Sequence, residues 1–254
     1  MNQKQHKMLV SKGLEHLVQI NRQRGLSLVE LMIGLVVGLL LILVVTGLYV
    51  TSVRSSTFTD SIMAVQENGL YGVSTLKSGF RLAGFPAPDN PTGVVQALDI
   101  QNSSATSVVV RAVQSHDCSG RATTATNGLA VNTYTHDVST KEIRCQGNQA
   151  NSDVVAVVED VERFRVLYGI DNDGNDQTCE PNSFVSHANT LDSSQVVAIR
   201  FAMLINSPDT ILTSNSSESF LLLDESYTTP DDRLLRELFV ADALLRNNVS
   251  CGGL

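Results

Sequence analysis

From Leu26 to Val53 the chain is apolar or small almost without interruption, and Glu30 is the one charged residue in that run. A helix from Leu26 to Thr46 is roughly 30 Å long at about 1.5 Å per residue, the thickness of a bilayer core. Beyond it the pattern becomes one-sided. Phe58, Ile62, Val65, Gly69, Gly72, Leu76 and Phe80 recur at steps of three and four, while Arg54, Asp60, Glu67 and Lys77 occupy the opposite face. No proline precedes Pro86, so nothing breaks a single helix starting at Leu26. Gly79, Gly84 and Pro86 are expected to end it. The first half is therefore apolar all round, and the second is amphipathic and suited to packing on a domain.

After Pro91 the pattern turns to short β segments. Expected strands are Val94–Ile100, Ser107–Gln114, Leu129–Thr135, Glu142–Cys145, Val154–Glu159, Arg163–Ile170, Val196–Asn206 and Phe220–Leu223. Polar stretches between them, above all Cys118–Asn127 and Asn172–Ser194, read as turns and surface loops. Near the end, Leu234, Leu235, Leu238, Ala241 and Leu245 have helical spacing, so periodicity alone predicts a helix over Leu234–Arg246. The expected fold class is α+β, one long N-terminal helix on an antiparallel β-sheet domain.

Charge sets the topology. Lys4, Lys7, Lys12, Arg22 and Arg24 precede the apolar run against one acid, Glu15, which keeps the N-terminus cytoplasmic and exports the chain beyond Val50. A carboxylate inside a span is costly, about 2.5–3.5 kcal/mol at a helix centre, so Glu30 marks a functional position. All four cysteines, Cys118, Cys145, Cys179 and Cys251, lie on the exported side and read as two disulfides with three connectivities open. The preferred pairing is Cys118–Cys145, flanking a hairpin, which leaves Cys179–Cys251 to pin the C-terminus.

The residues Arg24-Gly25-Leu26-Ser27-Leu28-Val29-Glu30-Leu31 resemble the processing signal of type IV prepilins. The match is a basic leader ending in Gly, then an apolar residue, with Glu fifth after the junction. Leu26 stands where Phe is usual, and the leader is long unless translation starts at Met8. The resemblance implies cleavage between Gly25 and Leu26 by a prepilin peptidase and N-methylation of Leu26. It also implies that Glu30 meets the N-terminal amine of a neighbouring subunit, which neutralises the buried charge. Further on, Gln66-Glu67-Asn68-Gly69-Leu70-Tyr71-Gly72 and Arg81-Leu82-Ala83-Gly84-Phe85 resemble a run of PilW-type minor pilins, with Leu70 in place of Arg and Gly72 in place of Ala. In that family the segment matching Arg236–Val240 and Leu244–Asn247 is a final strand, and the resemblance overrides the helical periodicity there.

These readings divide the chain into a leader, 1–25, a spine helix, 26–85, with 26–50 in the membrane, and an exported β-rich domain, 86–254. Removing the leader leaves 13 basic and 25 acidic residues, a formal charge of −12, which repels phosphates and disfavours direct nucleic-acid binding. The resemblance implies a minor pilin of the inner membrane and then the pilus surface, acting in assembly initiation or a tip complex for twitching motility, adhesion or DNA uptake. Its implied partners are prepilin peptidase, other minor and major pilins, and the inner-membrane assembly platform. The alternatives are a J-type pseudopilin of type II secretion and a membrane-anchored periplasmic binding protein or enzyme.

No cofactor, metal site or catalytic residue is expected. Asp171, Asp173 and Asn175 alternate as calcium ligands do, but Gly174 and Asn182 stand at the wrong places for an EF-hand. Their run reads as a solvated loop. His116, His136 and His187 are scattered in polar sequence, and no Gly-x-Ser-x-Gly or His-Glu-x-x-His motif occurs. His116-Asp117-Cys118 suggests a nucleophile set only if Cys118 is not bridged.

Overall fold

The computed structural model describes residues 25–87, 89, 95–123, 128–172, 180–187 and 191–248. Two compact units divide between Arg54 and Ser55. One helix, α1 (Leu28–Arg81), contributes to both. In the first unit every described residue is exposed except Gly38, which is partly covered. Ser27 caps the helix. Its side chain accepts from the Val29 N–H at 3.3 Å and its carbonyl from the Leu31 N–H at 3.1 Å. Thr46 and Thr51 turn their hydroxyls back to the carbonyls of Ile42 and Gly47, so neither leaves a free donor on the apolar surface.

The second unit is built from two four-stranded antiparallel sheets and a hairpin. The first sheet runs β1 (Ser107–Val113), β2 (Leu129–Asp137), β3 (Glu142–Gln146), β4 (Val155–Val158) as a meander. The second has the order β10-β7-β5-β6, from β5 (Val161–Ile170), β6 (Ser183–Val185), β7 (Val196–Asn206) and β10 (Arg236–Leu244). β8 (Ser219–Leu222) and β9 (Glu225–Thr228) form the hairpin.

Within this unit the last turns of α1 join the two sheets. Phe80 meets Tyr134 of β2 edge-on at 5.4 Å between ring centroids, and Phe201 of β7 at 5.6 Å. β7 explains its own composition. Ile199, Phe201, Met203 and Ile205 join the main core, while Ala202 and Leu204 pack under Leu222 of the hairpin. A strand covered on both faces is apolar almost throughout, and in Val196–Asn206 only Arg200 and the terminal Asn206 interrupt the run.

The end of α1 is set by Gly84. Its φ of +81° is open to glycine and strained for side chains, and its N–H bonds to the Arg111 carbonyl at 2.8 Å. Gly79 does not terminate the helix as expected. It lies inside α1 because the Tyr134 hydroxyl comes too close there for a Cβ.

Other expectations need correction. The covered stripe is Ser61, Val65, Gly69, Gly72, Leu76 and Phe80, while Phe58 is exposed, so packing starts about one turn later than the apolar pattern implies. Among the described residues of Val94–Ile100 only a bridge from Leu98 to Val110 forms. Asp99 accepts from Asn102 and the Ser103 hydroxyl bonds the Asp99 carbonyl, which turns the chain away from β1. The loop over Asn172–Ser194 contains β6, held by pairing with β5. His136 lies in β2 rather than a loop; it is buried and its Nε2–H donates to the Val161 carbonyl at 2.8 Å.

Leu234–Arg246 is not a helix. β10 pairs along nine residues with β7, whose edge needs a partner, and Phe239, Ala241, Ala243 and Leu245 alternate toward the core.

Candidate assembly surface

The N-terminal unit presents the chemistry. Leu26, Leu28, Val29, Leu31, Met32 and Ile33 are all more than half exposed, and the exposed run continues to Val53. The helix is long and apolar enough to cross a membrane. Such a surface far exceeds the scattered apolar residues that soluble domains leave in water, and it demands lipid or another apolar helix. Glu30 stands in the first turn of α1, where the helix dipole favours a negative charge. Gly25 and Leu26 precede the helix and are exposed.

In the second unit the structure brings Cys118 and Cys145 together as a disulfide, with Cα atoms 6.2 Å apart. It ties the loop before β2 to β3. The bridge removes the thiol from the His116-Asp117-Cys118 set. Burial pushes the Asp117 carboxyl up, but hydrogen bonds from the Ser119 hydroxyl, the Arg121 N–H, the Ser152 hydroxyl and the Ser119 N–H outweigh it and hold the carboxyl below its usual range. Cys179 and Cys251 lie outside the described residues. So do Asp173 and Asn175; Asp171 follows β5, its N–H bonded to the Gln195 carbonyl at 2.9 Å.

Two groups escaped the sequence reading. Ser27 was visible as the helix cap, a serine just ahead of an apolar run. The Arg236 cluster had no such signal. Its guanidinium is bonded at 2.7 Å to Glu162 and at 2.6 and 2.7 Å to Asp232, and Tyr227 donates to Glu162 at 2.8 Å. Arg236 and Glu162 side chains are 4% and 6% exposed, so this is a buried, fully hydrogen-bonded pair. It joins β5, β9 and β10 and offers no free group for chemistry.

Comparison with known proteins agrees with this division. Residues 20–46 match the prokaryotic N-terminal methylation motif. Residues 120–247, half of the chain, match the family model described as Type IV Pilus-assembly protein W. None of the curated proteins compared with the chain matches it. Among solved structures, a type IV-like pilin from Thermus thermophilus aligns with 76% of this chain and 98% of its own, at 13% identity and a TM-score of 0.40. The methylation motif over the exposed apolar helix and the family match over the β domain have one reading: the chain belongs to the PilW family of type IV pilus-assembly proteins, the minor pilins.

Proposed function

We propose that the protein enters the inner membrane with its N-terminus cytoplasmic and its β-rich domain periplasmic. Prepilin peptidase then cuts between Gly25 and Leu26, removing residues 1–25, and Leu26 is N-methylated. Residues 26–85 serve as the spine, with 26–50 in the membrane, and residues 86–254 as the domain that selects neighbours. The subunit joins other minor pilins and the assembly platform at the start or tip of a filament. Its role is structural, and binding to nucleic acid, if the pilus takes up DNA, falls to other subunits.

One observation carries this reading: a helix surface uncovered from Leu26 to Val53 whose single charge is Glu30. Lipid satisfies the apolar side chains but not a carboxylate. The amine that cleavage creates on Leu26 has the opposite charge, and a neighbour's amine docked on Glu30 neutralises both in a dry helix bundle. A bare anchor gains nothing from the carboxylate.

The test is Glu30→Leu expressed without the native copy. Cleavage and membrane insertion persist, while subunit in the sheared-pilus fraction falls relative to the cell envelope. Equal recovery of variant and native chain in pili would overturn the reading.

A further inference from the structure

The edge of a sheet exposes unpaired backbone, and three of the four edges of the two main sheets are blunted. The outer side of β1 is taken by the segment before it: Leu98 bridges Val110, the Asp99 N–H donates to the Val109 carbonyl at 2.9 Å, and the Arg111 N–H to the Ala97 carbonyl at 3.0 Å. β4 has four residues and meets β3 with a break in register, and β6 has three residues. β10 has none of these devices. It runs nine residues, Arg236–Leu244, in unbroken register on β7, with neither proline nor lysine. Its charges at Arg236 and Asp242 are already paired with Glu162 and Arg200. The Leu245 N–H donates to the Val197 carbonyl and the Ser207 N–H to the Leu235 carbonyl, so odd-numbered residues spend their backbone groups on β7. The N–H and carbonyl groups of Leu238, Val240, Asp242 and Leu244 therefore face outward, and among the described residues no strand pairs with them.

We propose that this edge accepts an extended strand of a different pilin subunit, which joins the second sheet beside β10. The partner's identity as a pilin rests on the assembly reading above. A row of alternating backbone donors and acceptors is matched by another extended backbone, and that fixes the form of the partner segment. Its side chains would meet apolar ground on both faces. On one, Val240 is 52% exposed, and Leu244 is exposed as well. On the other, the Phe239 ring lies against α1 at Gly69. Asn68 reaches the Glu159 carbonyl, in the turn before β5, and Leu70 stands about 200° further round the helix, on the side of the free edge, 64% exposed. One added strand buries less than the roughly 1,200 Å² at which stable interfaces begin, so the contact holds when its partner is already kept close, as a subunit docked through its spine is. Charge disfavours a second copy of this chain. After the leader it has 13 basic and 25 acidic residues, and two such domains repel each other.

The experiment uses the full chain in cells that lack the native copy. A photo-reactive amino acid placed at position 240 is activated in sheared pili and envelopes, and the linked peptides are identified by mass spectrometry. Val240→Pro removes an outward N–H without touching the ladder to β7, whereas Val240→Ala keeps the backbone and removes the side chain. Protease resistance and the Cys118–Cys145 bridge report folding. Leu244→Pro, at the end of the strand, takes the place of Val240→Pro if that chain does not fold, and if neither folds the cross-link decides. The expected result is a link from position 240 to one extended segment of a different pilin. The folded proline variant should be recovered in pili about tenfold less than the native chain, the scale of one lost hydrogen bond in a displaced strand, and Val240→Ala nearly as well as the native chain. Links to copies of this chain only, or to nothing, overturn the edge and leave the assembly reading standing. So does a folded proline variant recovered like the native chain, or an equal loss in Val240→Ala. Absence of the native subunit from pili overturns both.

Discussion

Asn247 donates from Nδ2 to the carbonyl of Arg81 at 3.3 Å, across 166 positions of sequence, and to that of Ala83 at the same distance. The two segments that resemble PilW-type pilins, one after the helix midpoint and one near the C-terminus, are therefore in contact. The end of α1 has carbonyls that no helical N–H can reach, and Asn247 bonds one of them, on Arg81, together with the Ala83 carbonyl just beyond. Gly84 completes the contact, since a Cβ there would meet the Asn247 backbone.

This junction predicts a graded loss. Asn247→Ala should destabilise the domain by about 1 kcal/mol, the net value of a typical hydrogen bond. Gly84→Ala should cost more, about 2 kcal/mol or above, because it adds backbone strain to the clash. Urea unfolding of the detergent-solubilised chain gives both values, and the reverse order would refute the account.

The Cys118–Cys145 bridge should be worth about 2–5 kcal/mol, as native disulfides in secreted domains are. Replacing both cysteines with serine lowers the urea midpoint and the amount of subunit in the envelope. Non-reducing peptide mapping of the native chain should recover the two residues as one cross-linked species.

The Arg236 cluster predicts both a large mutational cost and an acid limb. Arg236→Ala strands Glu162 in the core with only Tyr227 and should cost about 3–5 kcal/mol. Asp232 is pushed down to about 2, first by the hydrogen bonds from Arg236, with the Leu234 N–H helping and burial opposing. A depressed carboxyl stabilises the fold above its unfolded value, about 4, and that contribution is lost as pH falls through about 2. Asp232→Asn should thus be less stable than native at pH 6 and converge on it toward pH 2. A constant difference across that range would show that Asp232 does not titrate as its contacts require.

Processing gives a fourth prediction. Gly25→Val should accumulate the uncut chain in the membrane, heavier than the mature form by the leader. Intact mass should place the native N-terminus at N-methylated Leu26, and residues retained before Leu26 on the assembled subunit would contradict it.

Much of this was legible because some physics is local. An apolar run with one carboxylate and no proline before Pro86 make α1 readable, although its start at Leu28 and its end past Gly79 were not. β7 was readable because it is covered on both faces, and only Arg200 and the terminal Asn206 interrupt its apolar run. β10 was ambiguous since Leu238, Ala241 and Leu245 fit steps of three and four, and only the free edge of β7 decides between helix and strand. β6 is only three residues long and β9 is four and mostly polar, so pairing rather than composition makes them strands. Glu162 and Arg236 are 74 positions apart, and nothing in either neighbourhood announces the other. The 120–247 family match falls on the half of the chain whose sequence signals are weakest.

The Arg81–Asn247 contact also sets a timetable for folding. During synthesis the spine leaves the ribosome first, and its covered stripe must wait for β7, then β10, and finally for residue 247 before its last turn is closed. Closing so long a loop is slow compared with forming the helix, so the domain matures late and nearly all at once. A chain cut short before Asn247 would keep its membrane helix and much of its sheet yet leave the helix end open. Such a product would leave the Arg81 and Ala83 carbonyls without the donor that residue 247 brings to them from the far end of the domain.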